Sequence, residues 1–508
     1  MLLSVNSVKA GNFDENVNSI FKPIADFIGR IIFVSFDFEV GNEAIGVPIV
    51  LVLLVLAALY FTIDFNFINI RGFRTAIQIV RGKYDDPNEK GEVSHFQALT
   101  AALSGTVGLG NIAGVAIAVS LGGAGATFWM ILAGLLGMST KFLECTLGVK
   151  YRQIGEDGTV YGGPMYYLKQ GFSDLKMNIS GETKDYSKMG KVLSVLFALA
   201  CIGGSFGGGN MFQVNQAYSK FSGMEYMQGT YIAENGWLFG VIVSALVAVV
   251  IIGGIKSIAK VTDKIVPFMC GIYVIAALVV IFYHIDKIGW AFSEIISGAF
   301  SSDAVSGGFV GVLLIGFKRA AFSNEAGIGS ASIAHSAVKT NDPASEGLVS
   351  LLEPFIDTVL VCTMTALVIV ITGTNVGVEV SGDTNALGVE LTSNAFESVI
   401  SWFPYLLTTA VVLFAFSTMV SWSYYGVQAW AFLFGRGKRA EYIYKAIFCL
   451  MVIVGASSNL GPVIDFSDCM IFLMCFPNIL GLIFLAPVVK SELKKYMAKI
   501  DSGYFSKM

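Results

Sequence analysis

Charge is scarce in this 508-residue sequence: only 14% of it is Asp, Glu, Lys or Arg, against 55% hydrophobic residues. A soluble chain of this length needs far more charge on its surface, and no single soluble core absorbs so many Val, Ile, Leu and Phe residues. Histidine is rarer still, with three residues at 95, 284 and 335. The seven cysteines, at 145, 201, 270, 362, 449, 469 and 475, form no CxxC pair and have no neighbouring histidine. They read as small buried hydrophobes, which argues against a disulfide scaffold and against a metal-dependent enzyme. Neither GxxxxGK[ST] nor HExxH occurs, and the glycines at 105, 108 and 110 run GxxGxG, not the GxGxxG dinucleotide fingerprint. No catalytic or nucleic-acid-binding constellation is left to support an enzyme. The first 46 residues hold Asp14, Glu15, Asp26, Asp37, Glu39 and Glu43 without a basic start and apolar core, so no cleavable signal peptide is expected there.

What the sequence has instead is long apolar runs. A hydrocarbon core about 30 Å thick asks for roughly 20 apolar residues per helix, and eleven stretches qualify: 47–67, 98–120, 126–149, 190–217, 236–255, 265–285, 309–337, 347–373, 403–434, 442–458 and 463–489. Counting Lys and Arg in alternate loops gives 25 on one side and 5 on the other. Basic loops stay cytoplasmic, which predicts the N-terminus outside and the C-terminus inside. Residues 20–34 place Ile20, Ile24, Phe27, Ile28 and Ile31 on one helical face, the pattern of a short helix at the membrane surface. Trp237, Trp290, Trp402 and Trp430 fall near span ends, as interfacial anchors do.

Two runs contain residues that interrupt helices. "LSGTVGLGNIAG" (103–114) lies in the second and "FSNEAGIGSAS" (322–332) in the seventh, five spans apart. An odd offset reverses direction across the membrane, so spans two to six and seven to eleven form inverted halves, the pattern of a secondary transporter. Small residues in membrane helices also allow close packing, and "GGSFGGGN" in the fourth span is explained by that alone. Packing does not explain Asn111, Asn324 and Glu325, because unpaired polar groups in hydrocarbon are costly. An unwound centre does, since freed backbone groups at membrane depth are tolerated only where protein, water or ligand satisfies them. A channel would show a continuous polar lining and a repeated pore loop, and neither is visible.

"SGTVGLGNIAGVA" (104–116), "GGAGATFWMILAGLLG" (122–137) and "GGPMYY" (162–167) resemble the alanine or glycine:cation symporter family, over about residues 50–490. Ile131 and Thr127 depart from the family's usual tryptophan and aliphatic residue around "FWM". That family is similar to LeuT-type transporters, which implies an all-α integral membrane protein of eleven transmembrane helices: a five-plus-five inverted repeat with one extra N-terminal helix. The implied organisation is an extracellular or interfacial segment over 1–46, the extra helix and a cytoplasmic loop over 47–97, repeats at 98–285 and 309–489, and a cytoplasmic tail at 490–508. The resemblance is carried locally by Thr106 to Asn111, by Phe322-Ser323 followed by Gly327-Ile328-Gly329, and by Ala415 to Thr418.

Carried over, the resemblance implies a sodium ion held by carbonyls of Ser104, Val107 and Ala415 and the hydroxyl of Thr418, with Ser417 assisting. Met419 stands where a further hydroxyl is usual. A second ion would use Thr106, Asn111 and Ser323. Hard monovalent cations are held by neutral oxygens, which agrees. The substrate implied is alanine or glycine, its carboxylate facing the amides around Gly108 and Gly110. Its ammonium would lie near Thr106, Phe322 and Asn324, with Ser323 beside them and Asn210 and Gln213 on the opposite wall. Side-chain space is bounded by Phe322, Ile328, Phe416, Met419 and Trp422. A proton-coupled alternative rests on Glu325. Lys141 and Glu144 read as a neutralised pair, Lys318 or Arg319 as a residue of the outer gate, and Glu353 and Asp357 as partners of basic residues near the cytoplasmic face. The lipid bilayer of the cell membrane and a small amino acid are the expected partners, with no nucleic acid and no obligate protein partner.

Overall fold

Ser94 starts the second apolar run as a helix with a reciprocal cap: its Oγ accepts from the Gln97 N–H at 3.2 Å while its own N–H donates to Gln97 Oε1 at 3.2 Å. Elsewhere helix follows from apolar composition, and each of the eleven runs is helical in the computed structural model. It describes residues 23, 26–40, 43–86, 89–179, 182–301, 308–374 and 388–506. The elements are α1 (Ile49–Asp64), α2 (His95–Thr106), α3 (Gly110–Gly122), α4 (Ala126–Lys150), α5 (Ser187–Ser222), α6 (Gly236–Ile251) and α7 (Gly254–Tyr283). They continue with α8 (Gly308–Asn324), α9 (Ala331–His335), α10 (Pro343–Thr372), α11 (Phe403–Phe434), α12 (Lys438–Ala456) and α13 (Leu460–Asp501). Among the described residues six helices are long and apolar enough to cross a membrane alone, and seven when α2 and α3 count as one span bent by 52°.

Two expectations need correction. The chain is not purely helical: antiparallel hairpins pair Ser35–Val40 with Glu43–Pro48, Gln153–Ile154 with Val160–Tyr161 and Lys176–Ile179 with Glu182–Asp185. They lie outside the apolar runs except for Val47 and Pro48 at the start of the first, where water or headgroups can satisfy an open strand edge. The first run is shorter than expected, because Asn66 and Phe67 take positive φ values of 50° and 55° and end α1 early. Within the expected tail at 490–508, α13 continues through Asp501 and carries its lysines on a helix. Within the N-terminal segment residues 26–32 are helical with Phe27 and Ile31 exposed, as a membrane-surface helix requires; Ile20 and Ile24 lie outside the described residues.

Packing brings the two interrupted runs together. α4 packs against α8, α9 and α10, while α11 packs against α2, α5 and α7. The segment 98–119 is buried along its whole length, so the break at 107–109 sits in the interior and not at a surface.

Candidate functional site

The first break is built by diverted hydrogen bonds. In a continuing helix Ser104, Gly105 and Val107 would accept from Gly108, Leu109 and Asn111. Instead Gly108 donates to Asn111 Oδ1 (2.8 Å), Leu109 donates to Gln213 Oε1 on α5 (3.3 Å), and Asn111 donates to the Gly108 carbonyl (3.2 Å). Three carbonyls thereby lose their helical donors in one turn. The Ser104 hydroxyl donates to the Ser417 carbonyl at 2.7 Å and the Ser421 hydroxyl to the Ala101 carbonyl at 2.9 Å, which fixes α2 against α11.

The second break is held by positive φ at Glu325 (58°), Gly327 (90°) and Gly329 (90°). Glycine takes such angles without strain, whereas for glutamate they are unfavourable. A Cβ on Gly327 would also come 2.4 Å from the Leu54 side chain. The freed backbone is satisfied from two neighbouring helices: Gly327 N–H donates to Glu144 Oε1 (2.9 Å), and Asn478 donates to the Gly327 carbonyl (2.9 Å) and to Glu144 (2.7 Å).

Between the breaks lies a small pocket with a cavity of about 10 Å³. Gly105, Thr106 and Gly110 line it from the first break, Phe322 and Glu325 from the second. Gly208 and Gln213 of α5, Trp422 of α11 and Ile471 of α13 close it. α5 reaches this point through a wide turn of π geometry at Gly207–Met211, and a Cβ on Gly209 would lie 2.2 Å from the Trp422 ring, so the glycine run does serve close packing.

Of the residues expected at the substrate, Thr106, Gly110, Gln213, Phe322 and Trp422 line this pocket. Gly108 lies beside it, where a Cβ would meet Thr418 Oγ1 at 2.4 Å and Gln213 Oε1 at 3.3 Å. Asn324 does not face the pocket: it donates to Thr358 (2.9 Å), accepts from Ala326 N–H (2.9 Å) and lines a separate crevice with Leu54 and Gly137. Ile328 and Met419 are fully buried, yet neither is among the lining residues, and Phe416 is half-buried on a face roughly 120° around α11 from Trp422. Asn210 donates to the Phe448 carbonyl of α12 and so turns from the pocket.

The oxygens expected around an ion fit one in part. Thr418 Oγ1 is buried and has no hydrogen-bond partner among the described residues, and it faces Gly108 of the first break. An orphaned buried hydroxyl costs about 1–3 kcal/mol, which a cation would offset. The Ala415 carbonyl belongs to the unbroken α11, and the Ser417 hydroxyl back-bonds to Phe414 (3.0 Å). For the second ion, Asn111 and Ser323 meet on a residue the sequence reading assigned elsewhere. Asp357 accepts from Asn111 (2.6 Å), Ser323 (2.9 Å) and Thr358 (2.7 Å), while Thr106 back-bonds to Ala102 (3.3 Å). A fully buried aspartate in an apolar run was the signal that could have found it.

The other expected pairings are also rearranged. Lys141 and Glu144 do not pair with each other. Lys141 Nζ lies 3.2 Å from Glu353, Glu353 lies 3.4 Å from His335 Nε2, and Glu346 accepts from His335 (2.5 Å) and His95. At the opposite end both Lys318 (2.8 Å) and Arg319 (2.6 Å) pair with Asp468 of α13, and the Lys318 ammonium lies over the Phe33 ring. At the lysine-rich end a crevice of about 230 Å³ opens between α7, α11 and the turn before α12. Burial raises the Glu92 carboxyl in its wall above the ordinary range, against the Val160 amide that donates to it.

Comparison with known proteins supplies the context for this geometry. Sodium/alanine symporter AgcS of Methanococcus maripaludis is 38% identical over 90% of this chain and 95% of its own. The probable sodium/glutamine symporter GlnT of Bacillus subtilis is 30% identical over 91% of each. Among solved structures, MhsT in complex with L-phenylalanine superposes with a TM-score of 0.55 at 16% identity, over 80% of this chain and 93% of that one, a likeness of fold with a LeuT-type protein. Residues 33–507 match the model of the sodium:alanine symporter family. These relatives are membrane transporters and not enzymes. With two broken helices meeting at a closed pocket and a family match over nearly its whole length, the chain belongs to the sodium:alanine symporter family.

Proposed function

We propose that this protein imports a small neutral amino acid, alanine or glycine, down the sodium gradient by alternating access. The observation that carries the reading is the Thr418 hydroxyl, buried with no partner among the described residues and facing Gly108, in the turn where the Ser104 and Val107 carbonyls lose their helical donors. These oxygens, with Ala415, would hold sodium, which supplies the charge that draws the first break and α11 together. Gln213 Oε1 accepts the Leu109 amide in the position a substrate carboxylate oxygen would take, so substrate entry exchanges one acceptor for another. The cavity between the breaks, about 10 Å³ and walled by Phe322, Trp422 and Ile471, has room for about one water, so these walls must part to admit an amino acid. In this reading all eleven runs cross the cell membrane with the lysine-rich end cytoplasmic and the N-terminus outside. The crevice between α7, α11 and the turn before α12 is then the release vestibule.

The test is uptake into proteoliposomes. Labelled alanine should accumulate only with an inward sodium gradient and should saturate; equal accumulation driven by a pH gradient in sodium-free buffer would replace sodium by the proton alternative. The Asp468 pair is assigned to outer closure. Asp468→Asn leaves the buried Arg319 guanidinium without its partner, a loss of about 2–5 kcal/mol. Alanine uptake should fall at least about tenfold while sodium-dependent alanine binding persists; unchanged uptake would remove the pair from the gate.

A further inference from the structure

Glu325 is unexplained by the site as described. It is a glutamate at φ 58°, a geometry that suits glycine, just before Gly327 and Gly329, and its carboxylate is nearly fully buried on the wall of the central pocket. Holding a non-glycine residue there costs on the order of 1–3 kcal/mol. Two donors aim the carboxylate: Trp422 Nε1–H donates to Oε1 at 3.0 Å and the Ser330 hydroxyl donates to Oε2. Each oxygen therefore keeps an acceptor site, and Glu325 is the sole ionisable residue on the pocket wall among the described residues. The other polar groups there are committed, with Gln213 Oε1 on the Leu109 amide and the Thr106 hydroxyl on its own helix. The one nearby lysine, Lys141, is bound to Glu353.

Resting on the reading of this pocket as an amino-acid site, we propose that Glu325 is a substrate-binding residue that takes the α-ammonium group as a charged hydrogen bond and so makes a free amine obligatory. The zwitterion then spans the pocket, its carboxylate at the first break and its ammonium at the second. Asn324, the neighbour expected to serve the amine, points to Thr358 instead. Because Glu325 also receives the Trp422 indole, the residue that recognises the amine sets the ring that limits side-chain size.

The experiment compares alanine with lactate, which has the same shape with a hydroxyl in place of the ammonium. Sodium-driven alanine uptake and its competition by lactate are measured for the wild type and for Glu325→Gln, with Trp422 fluorescence reporting binding. In the wild type lactate should compete at least about 100-fold more weakly than alanine. In Glu325→Gln the alanine KM should rise about 10- to 100-fold, the loss of a hydrogen bond to a charged group, and the preference over lactate should shrink by the same factor. Glu325→Asp, which keeps the charge on a shorter arm, should fall between the two. Equal competition by lactate in the wild type overturns the proposal whether or not a variant folds. An unchanged alanine KM and preference in Glu325→Gln overturns it too, as does a variant that binds alanine normally and loses only a pH-driven component. Absence of alanine uptake in the wild type overturns the amino-acid reading itself, and is seen before any variant is made.

Discussion

Thr418→Ala is expected to raise the sodium concentration for half-maximal alanine uptake by about tenfold or more, the equivalent of roughly 1–2 kcal/mol. What makes the variant informative is the sign of its effect without sodium. The wild-type hydroxyl is buried with no partner among the described residues, so removing it takes away an unsatisfied polar group. In choline buffer the variant should therefore be as stable as the wild type or slightly more so. In sodium the wild type should gain thermal stability through ion binding while the variant gains little. Melting curves of purified protein in the two buffers read both effects. Equal sodium stabilisation of wild type and variant would take Thr418 out of the ion site.

Glu353→Gln should be the most damaging single change, because it leaves the Lys141 ammonium charged and fully buried without its carboxylate. Breaking a buried pair by removing one partner costs about 3–5 kcal/mol, against a total stability of about 5–15 kcal/mol for an ordinary domain. Loss of folded protein in detergent, or a large fall in melting temperature, is the expected result. Lys141→Met combined with Glu353→Gln removes both charges and should recover most of the loss. A double variant as unstable as the single one would mean that Glu353 acts through His335, 3.4 Å away, and not through the lysine. The linkage has a structural meaning. His95 opens α2, His335 ends α9, Glu346 and Glu353 belong to α10, and Lys141 to α4. One chain of buried charge thus joins both broken runs to their neighbours.

The breaks were legible because glycine and asparagine in apolar runs conflict with both helix propensity and hydrophobic burial, and that conflict is local. Thr106, Gly110 and Phe322 lie in those breaks, and the pocket contains them together with Gln213 and Trp422, expected there from other helices. Asn324 did not, since neighbours in an unwound segment point in directions that no periodicity predicts; Asn324 turns to Thr358 while Glu325 turns inward. Asp357 was assigned to the wrong end because helical spacing relates it to Glu353. Its partners Asn111 and Ser323 come from other helices.

The sequence alone determined the solvent of this protein, the positions of its helices and the two places where they fail, because hydropathy and backbone propensity act over a few neighbouring residues. The tertiary structure decided which oxygen is left without a donor, which carboxylate enters the pocket and which charge neutralises which. Those outcomes depend on contacts between residues as far apart as Leu109 and Gln213, or Lys141 and Glu353, and only packing in three dimensions fixes them.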